Sequence, residues 1–453
     1  MMAHEESQRV LTAAVEAAKQ GVDGAEASLI GGSLGVTRFA DNEVHQQTLR
    51  DREMLAVRVV VGGRVGRAET SDLTLQGLRH VARQARLMAE LRPPPRTPFE
   101  LPAPQIYQPI EAFDAETERA TPLDRMSLAG KAIIAAHREK LSASGFVATR
   151  FGAVDLGFNG DGAYAIANSN GLFAYHTTTR ATMSLTMASK SGASGWSEGE
   201  SLAISRLDTD GLIHRAAKKA LFAGEPRTLA PGPYPVILEP AAVASLMSFL
   251  ALAVGAEQVE EGRSFLSGRI GERIAPETIT VLDDLGHSLH RGPPFDADGV
   301  ARRKVTVIDR GVARQPVYGL ESARRHNAEP TGHRLSSAVF GETEVASHLV
   351  MEGGKASLAD LVAACPRGVL VTRCWYVQVV DPRRLILTGV TRDGTFLIEG
   401  GELVAPIQKM RFNVSLLDLF ERIEAMSEPE WASGLVVPGI RASELYFSAP
   451  APS

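Results

Sequence analysis

Four places in the chain carry residue types that could do chemistry. Gly31-Gly32-Ser33-Leu34-Gly35 has the G-x-S-x-G spacing of a nucleophile elbow, where a serine sits on a sharp turn from strand to helix. The text that follows, Val36-Thr37-Arg38-Phe39, reads as extended rather than helical, so a glycine-rich turn is expected instead. His287 and His290 lie three apart and close to Asp283 and Asp284, a set whose imidazoles and carboxylates suit a metal ion. Gly286, Gly292, Pro293 and Pro294 mark the surroundings as a loop with no helix to fix ligand geometry, so solvated loop histidines are expected. Cys374 stands in strand-like text, Val371-Thr372-Arg373-Cys374-Trp375-Tyr376, and reads as a small buried apolar residue. Gly353-Gly354-Lys355 fails as a phosphate loop, because Leu349 and Ala356 occupy the positions that need glycine and a hydroxyl. No H-E-x-x-H occurs anywhere.

Composition narrows the function classes. The 453 residues are too many for one ordinary core, so two or three domains are expected. A net charge of −5 and the lack of any run of five like charges argue against nucleic-acid binding. The start of the chain has neither a basic nor an apolar leader region, and Ala241 to Ala256 is too short and too interrupted to span a bilayer. Two cysteines, Cys365 and Cys374, exclude a disulfide framework and fit a reducing cytoplasm.

The elements that would position any site fall into segments. Val10, Leu11, Ala14, Val15 and Ala18 keep a helical period, and Gly21 and Gly24 stop it. Met54 to Val61, Gly62-Gly63 and Arg64 to Arg67 read as a hairpin. Ser71 and Asp72 can cap a helix with the stripe Leu75, Leu78, Val81, Ala85 and Met88. Prolines 93–95, 98, 102, 104 and 109 predict a stiff connection without regular structure. Thr121-Pro122 opens a helix whose buried face would be Met126, Ala129, Ile133 and Ala136. Alternating strand text follows to Ser191, with turns at Gly160-Asp161-Gly162 and Asn170-Gly171, then a helix from about Leu212 to Phe222. After Pro231-Gly232-Pro233 come a short strand, an apolar helix and many strands. Asp309-Arg310-Gly311 and Arg392-Asp393-Gly394 are expected as turns, and Leu416 to Met426 as a late helix. The expected division is 1–91, a linker 92–119, 120–228 and 229–449.

Several stretches together resemble one family. Arg38-Phe39-Ala40-Asp41-Asn42-Glu43-Val44-His45-Gln46, Ala68 to Leu73, Ala167-Asn168-Ser169-Asn170-Gly171 and Ser194-Gly195-Trp196-Ser197-Glu198 keep the order of its first two regions. Phe295-Asp296-Ala297-Asp298-Gly299, Val380-Asp381-Pro382, Leu387-Thr388-Gly389 and Gly394 to Gly401 resemble its third. The family is the TldD/PmbA peptidases, also known as modulators of DNA gyrase. The resemblance implies an α+β fold, with helices packed on an antiparallel sheet in the N-terminal half and a β-rich, barrel-like C-terminal half. Active TldD-type members carry H-E-x-x-x-H on a helix and a downstream cysteine, which hold zinc while the glutamate takes a proton from water. Counting back from Ser267-Gly268-Arg269-Ile270-Gly271-Glu272 puts Met247 and Leu252 where those histidines would stand. Leu238 to Leu246 is instead similar to the TldE/PmbA branch, and Val436-Val437-Pro438-Gly439-Ile440 lacks the cysteine. The resemblance thus implies a TldE/PmbA-like subunit of a TldD/TldE-type metallopeptidase acting on unfolded or extended peptides. Zinc is expected in a TldD-type partner subunit and none in this chain, with no catalytic, cofactor-binding or metal-binding residue of its own; the substrate-binding residues are unassigned. The alternative is a homodimeric peptide-binding or scaffold protein without peptidase activity.

Overall fold

The computed structural model describes residues 2–95, 97–152, 163–337 and 341–450; the turn expected at Gly160-Asp161-Gly162 lies outside them. The first half runs α1 (His4–Ala18), β1 (Gly24–Ala40), β2 (Glu43–Val61), β3 (Arg64–Thr70), α2 (Leu75–Leu91), α3 (Ala115–Glu118), α4 (Pro122–Glu139), β4 (Ser142–Gly152), β5 (Ala163–Asn168), β6 (Phe173–Tyr175), β7 (Thr179–Ala188), β8 (Ser194–Ser201) and α5 (Thr209–Ala220). Its strands form one 8-stranded sheet in the order β3-β2-β1-β4-β7-β8, with β5 beside β1 and β6 beside β5. Segments 1–91 and 120–228 therefore contribute to a single sheet.

Side-chain alternation gives that sheet two faces of different character. Ala25, Ala27 and Leu29 of β1, with Leu55, Val57 and Val59 of β2, pack under α1 and α2. Val147 of β4 and Met183, Leu185 and Met187 of β7 pack under α4 and α5. The intervening residues turn toward the second half of the molecule. Gly31 and Gly32 do not make the expected turn. They lie inside β1, at positive φ, where its pairing passes from β5 to β4. A Cβ at Gly31 would strike the carbonyl oxygen of Arg52, and one at Gly32 that of Phe151.

Helix ends follow local chemistry, with two corrections to the expected faces. Thr121 caps α4 and shares a reciprocal capping box with Asp124, with proline at the first turn. The buried face of α4 is Arg125, Ala129, Ala132 and Ala136, while Met126 is exposed. Gly35 leaves room for the Arg125 guanidinium, which donates to Thr149 Oγ1 at 2.8 Å and so takes a place expected of an apolar side chain. Thr74 rather than Ser71 or Asp72 caps α2, and Leu75 and Met88 are exposed. Asp72 instead accepts from the Thr74 amide and hydroxyl. The proline-rich connection has no regular structure, but it is pinned down. Asn168 and Asn170 donate to Pro102 O and Leu101 O, and Tyr107 donates to Gly299 O.

The second half centres on a closed ring of strands. β9 (Gly232–Leu238) pairs with Arg367–Asp381, which pairs with Ile386–Glu399, then Met410–Ser415, then Leu435–Pro450, and the last returns to β9. Closure pairs each ring strand on both sides, so the ring itself presents no open edge. Helix α6 (Pro240–Ala253) packs against this ring and is apolar on nearly all sides, which suits burial. Its serines satisfy themselves on the preceding turn: Ser245 Oγ donates to Ala241 O and Ser248 Oγ to Ser245 O. Arg392-Asp393-Gly394 does not turn the chain but bulges within strand Ile386–Glu399. The late helix stops at Glu421, and a strand begins at Ile423.

Candidate functional site

A cavity of about 470 Å³ lies between the inner face of the N-terminal sheet and the second half. That volume suits a side chain or a short peptide end. Glu26, Ser28 and Ile30 of β1, Ala56 and Arg58 of β2, and Arg180 and Thr182 of β7 line one side. These are the residues that alternation turns away from the helices. Ser248, Ala251 and Leu252 of α6, the stretch around Phe295 to Asp298, and the Ser433-Gly434 turn complete the wall. Ser433 Oγ donates to Glu198 Oε2 at 3.0 Å and ties that turn to β8 across the two halves.

One guanidinium in this wall serves two carboxylates. Arg58 Nη2 lies 2.7 Å from Glu26 Oε1 and Nη1 2.7 Å from Asp298 Oδ1, with Phe99 stacked 4.6 Å from the guanidinium carbon. Glu26 and Arg58 are direct cross-strand partners. Burial pushes Glu26 up to about 7, against the pull of Arg58 and with Asp298 adding to the rise. Asp296 is likewise pushed up to about 6, by burial first and then by Asp298. Its carboxylate accepts from the amides of Asp298, Val300 and Arg334, so Phe295 to Gly299 folds around it. Elsewhere in the wall Arg180 pairs with Glu200 at 3.1 Å, and Arg334 pairs with Glu342 at 3.0 Å.

The histidine expectation needs correction. His290 is not a solvated loop residue: it is 3% exposed, lines the cavity and meets the His348 ring edge-on at 5.4 Å. Burial pushes His290 down to about 4 and His348 well below its usual value, so both rings are neutral at pH 7. His176, on the sheet side, is also pushed down to about 4 by burial, and its Nε2 has no hydrogen-bond partner. Asp283 is committed elsewhere. Its Oδ2 accepts the His348 amide at 2.7 Å, and its Oδ1 faces His333 Nε2 at 2.9 Å. Burial alone would raise Asp283; the neighbouring His333 first, then His348 and Arg302, hold it well below the carboxylate range. Among the described residues no three His, Cys, Asp or Glu side chains gather closely enough to hold one ion.

The residues at the metal positions implied by the resemblance do not fit zinc. Met247 is fully buried in the barrel core, while Leu252 is half-buried and lines the cavity. A thioether packed at zero exposure and an isobutyl group offer no imidazole nitrogen, and Ser248 stands where the glutamate would act. The strand that would carry the cysteine presents Leu435 to the cavity and buries Val436 and Val437. Cys374 is buried, its thiol pushed up to about 12, and it packs in the barrel core as expected. Ser33 lies in β1 opposite Asp51 and Phe151, away from the cavity wall. Gly354 lies in a loop, and its amide donates to Ser427 O, in the strand that begins at Ile423. Sequence reasoning missed Glu26, Arg58, His176, Arg302 and His348. The Phe295 to Gly299 stretch was noticed only as part of the resemblance.

Comparison with known proteins agrees with this architecture. Residues 25–89, 116–221 and 231–449 match the first, central and C-terminal domains of the PmbA/TldA metallopeptidases. The fold is similar to TldE from Thermococcus kodakarensis, at 23% identity and a TM-score of 0.85, over 96% of this chain and 99% of that one. It is also similar to a protein described as a modulator of a DNA gyrase from Thermotoga maritima, at 20% identity and a TM-score of 0.82, over 98% and 100% of the two chains. A metalloprotease from Methanothermobacter thermautotrophicus is 22% identical over 63% of this chain, and the chain spans 63% of its length. With all three domain types present in order along the sequence, the chain belongs to the PmbA/TldD metallopeptidase family.

Proposed function

We propose that this chain is a TldE/PmbA-like subunit of a TldD/TldE-type metallopeptidase that acts on unfolded or extended peptides, with the zinc supplied by a TldD-type partner. The observation that carries the reading is the α6 wall of the cavity. Where hydrolysis would need imidazole and carboxylate, it offers Met247 to the core and Ser248 and Leu252 to the cavity edge. The cavity itself keeps charged and polar groups, as a peptide-holding surface would. No described helix is long and apolar enough to cross a membrane. The assembly is proposed to work in the cytoplasm. The test is cleavage of a fluorogenic extended peptide by the chain alone, by a TldD-type partner alone and by the mixture. Cleavage that appears or rises at least tenfold in the mixture supports the reading. Chelator-sensitive cleavage by the isolated chain contradicts it. Peptide binding that no TldD-type partner converts to cleavage would favour the homodimeric binding protein.

A further inference from the structure

Among the described residues no carboxylate makes an ion pair with Arg302 in the cavity wall, although the charges of Asp283 and Asp296 both act on it. The Arg302 side chain lines the cavity, and its Nε and Nη1 are shut off from solvent without a hydrogen-bond partner. Its backbone is fixed by donation of the Arg302 amide to Pro294 O at 2.9 Å. The two acids whose charges act on it are already occupied. Asp296 accepts three backbone amides, and Asp283 accepts the His348 amide and faces His333. Arg58, Arg180 and Arg334 of the wall each have a carboxylate partner within 3.1 Å, and Arg291 donates to the carbonyls of Ser288 and His290. Guanidinium always carries its charge, and a buried one is satisfied by a planar acceptor. A carboxylate fits that requirement better than any neutral group.

The remaining wall tells what the carboxylate is attached to. Ile30, Phe146 and Leu252 supply apolar surface for a side chain. The His176 ring, with its unpartnered buried Nε2, can serve a neutral amide. Burial raises Glu26 to about 7 and Asp296 to about 6, which lowers the negative charge facing an anion. The other acids of the wall are already partnered: Asp298 by Arg58, Glu198 by Ser433, Glu200 by Arg180 and Glu342 by Arg334.

We propose that the cavity binds a peptide through one of its carboxylates, with Arg302 as the anchor. This rests on the peptide-binding reading above but not on the location of the zinc. The carboxylate can be the C-terminal one or that of an acidic side chain, and the experiment separates the two.

The test is calorimetric titration of the full-length chain, without any partner, with three probes. These are Ala-Ala-Leu with a free C-terminus, Ala-Ala-Leu amide, and acetyl-Ala-Glu-Leu amide. At least one carboxylate-bearing probe is expected to bind tenfold or more tightly than Ala-Ala-Leu amide. Preference for the first assigns the C-terminal carboxylate, and preference for the third the side-chain one. Arg302→Gln is expected to erase the preference, and Arg302→Lys to keep part of it. Equal binding of all three probes overturns the proposal, as does an undiminished preference in a folded Arg302→Gln protein. If Arg302→Gln fails to fold, the probe comparison on the native chain together with Arg302→Lys decides. A chain found to hold zinc by itself would remove the silent-subunit reading and leave this carboxylate preference measurable.

Discussion

On the α6 side of the cavity the wall is Ser248, Ala251 and Leu252; on the sheet side it is Glu26, Arg58, Arg180 and Glu198. The helix buries aliphatic groups against the barrel, and its serine hydroxyls are satisfied by its own backbone. The sheet buries charges, and they stay only because each finds a partner across a strand or from the second half. An enzyme of the zinc type would need the reverse, with reactive groups on the helix. The charged groups able to meet a polar ligand thus lie on the sheet and around Arg302, while α6 contributes packing and the apolar face of Leu252.

That contrast can be broken first at its most charged point. Arg58→Ala would leave Glu26 and Asp298 buried without a cation, at an expected cost of about 3–5 kcal/mol. Urea unfolding measures it, and Arg58→Ala combined with Glu26→Gln and Asp298→Asn should recover part of the loss. A loss below about 1 kcal/mol would mean the triad is solvated. On the helix side, Met247→Ala should cost about 2–4 kcal/mol through the cavity it leaves. Met247→Leu should cost less than about 1.5 kcal/mol and leave peptide binding unchanged, since only packing is at stake.

A pH series sharpens the comparison. Burial pushes His290 down to about 4 in the folded chain from an ordinary 6.5, so the unfolded chain binds more protons between those values. Its contribution is present above pH 6.5 and is lost as pH falls toward 4, a loss on the order of 1–3 kcal/mol. Glu26 runs the other way: raised to about 7 from an ordinary 4.5, its contribution is full below 4.5 and lost as pH rises through 7. Thermal melts of His290→Gln should show a flatter acid limb, and those of Glu26→Gln a flatter limb from pH 4.5 to 7. If neither limb changes, these groups are not buried as described. The smallest effect belongs to a helix end outside the cavity lining. Thr121→Ala should cost about 1 kcal/mol of unfolding free energy by removing the α4 cap.

Thr121-Pro122 was legible because a cap and a first-turn proline act within a few residues. The Gly62-Gly63 hairpin was legible for the same reason, since both glycines take the positive φ that such a turn requires. The inner face of the sheet was half legible. Alternation in Ala181 to Met187 separates two faces, but a polar face reads the same whether it meets water or an enclosed cavity. The Glu26–Arg58 pair was hidden by register. Counting back from Ala40↔Glu43 at the hairpin turn would set Glu26 against Val57; an irregularity between Arg38 and Phe39 shifts the pairing by one and brings Arg58 opposite. His290 looked exposed because Gly286, Gly292 and two prolines surround it, while its burial comes from His348, 58 positions away. Arg302 and His348 had no local signal at all; long-range packing brings them to the cavity.

We expect this chain to hold no hydrolytic metal of its own. The purified protein can be equilibrated with zinc, exchanged into metal-free buffer and analysed for bound metal by mass spectrometry. Far less than one zinc per chain is expected, unchanged in a Met247→Leu variant. One tightly retained zinc per native chain would contradict it.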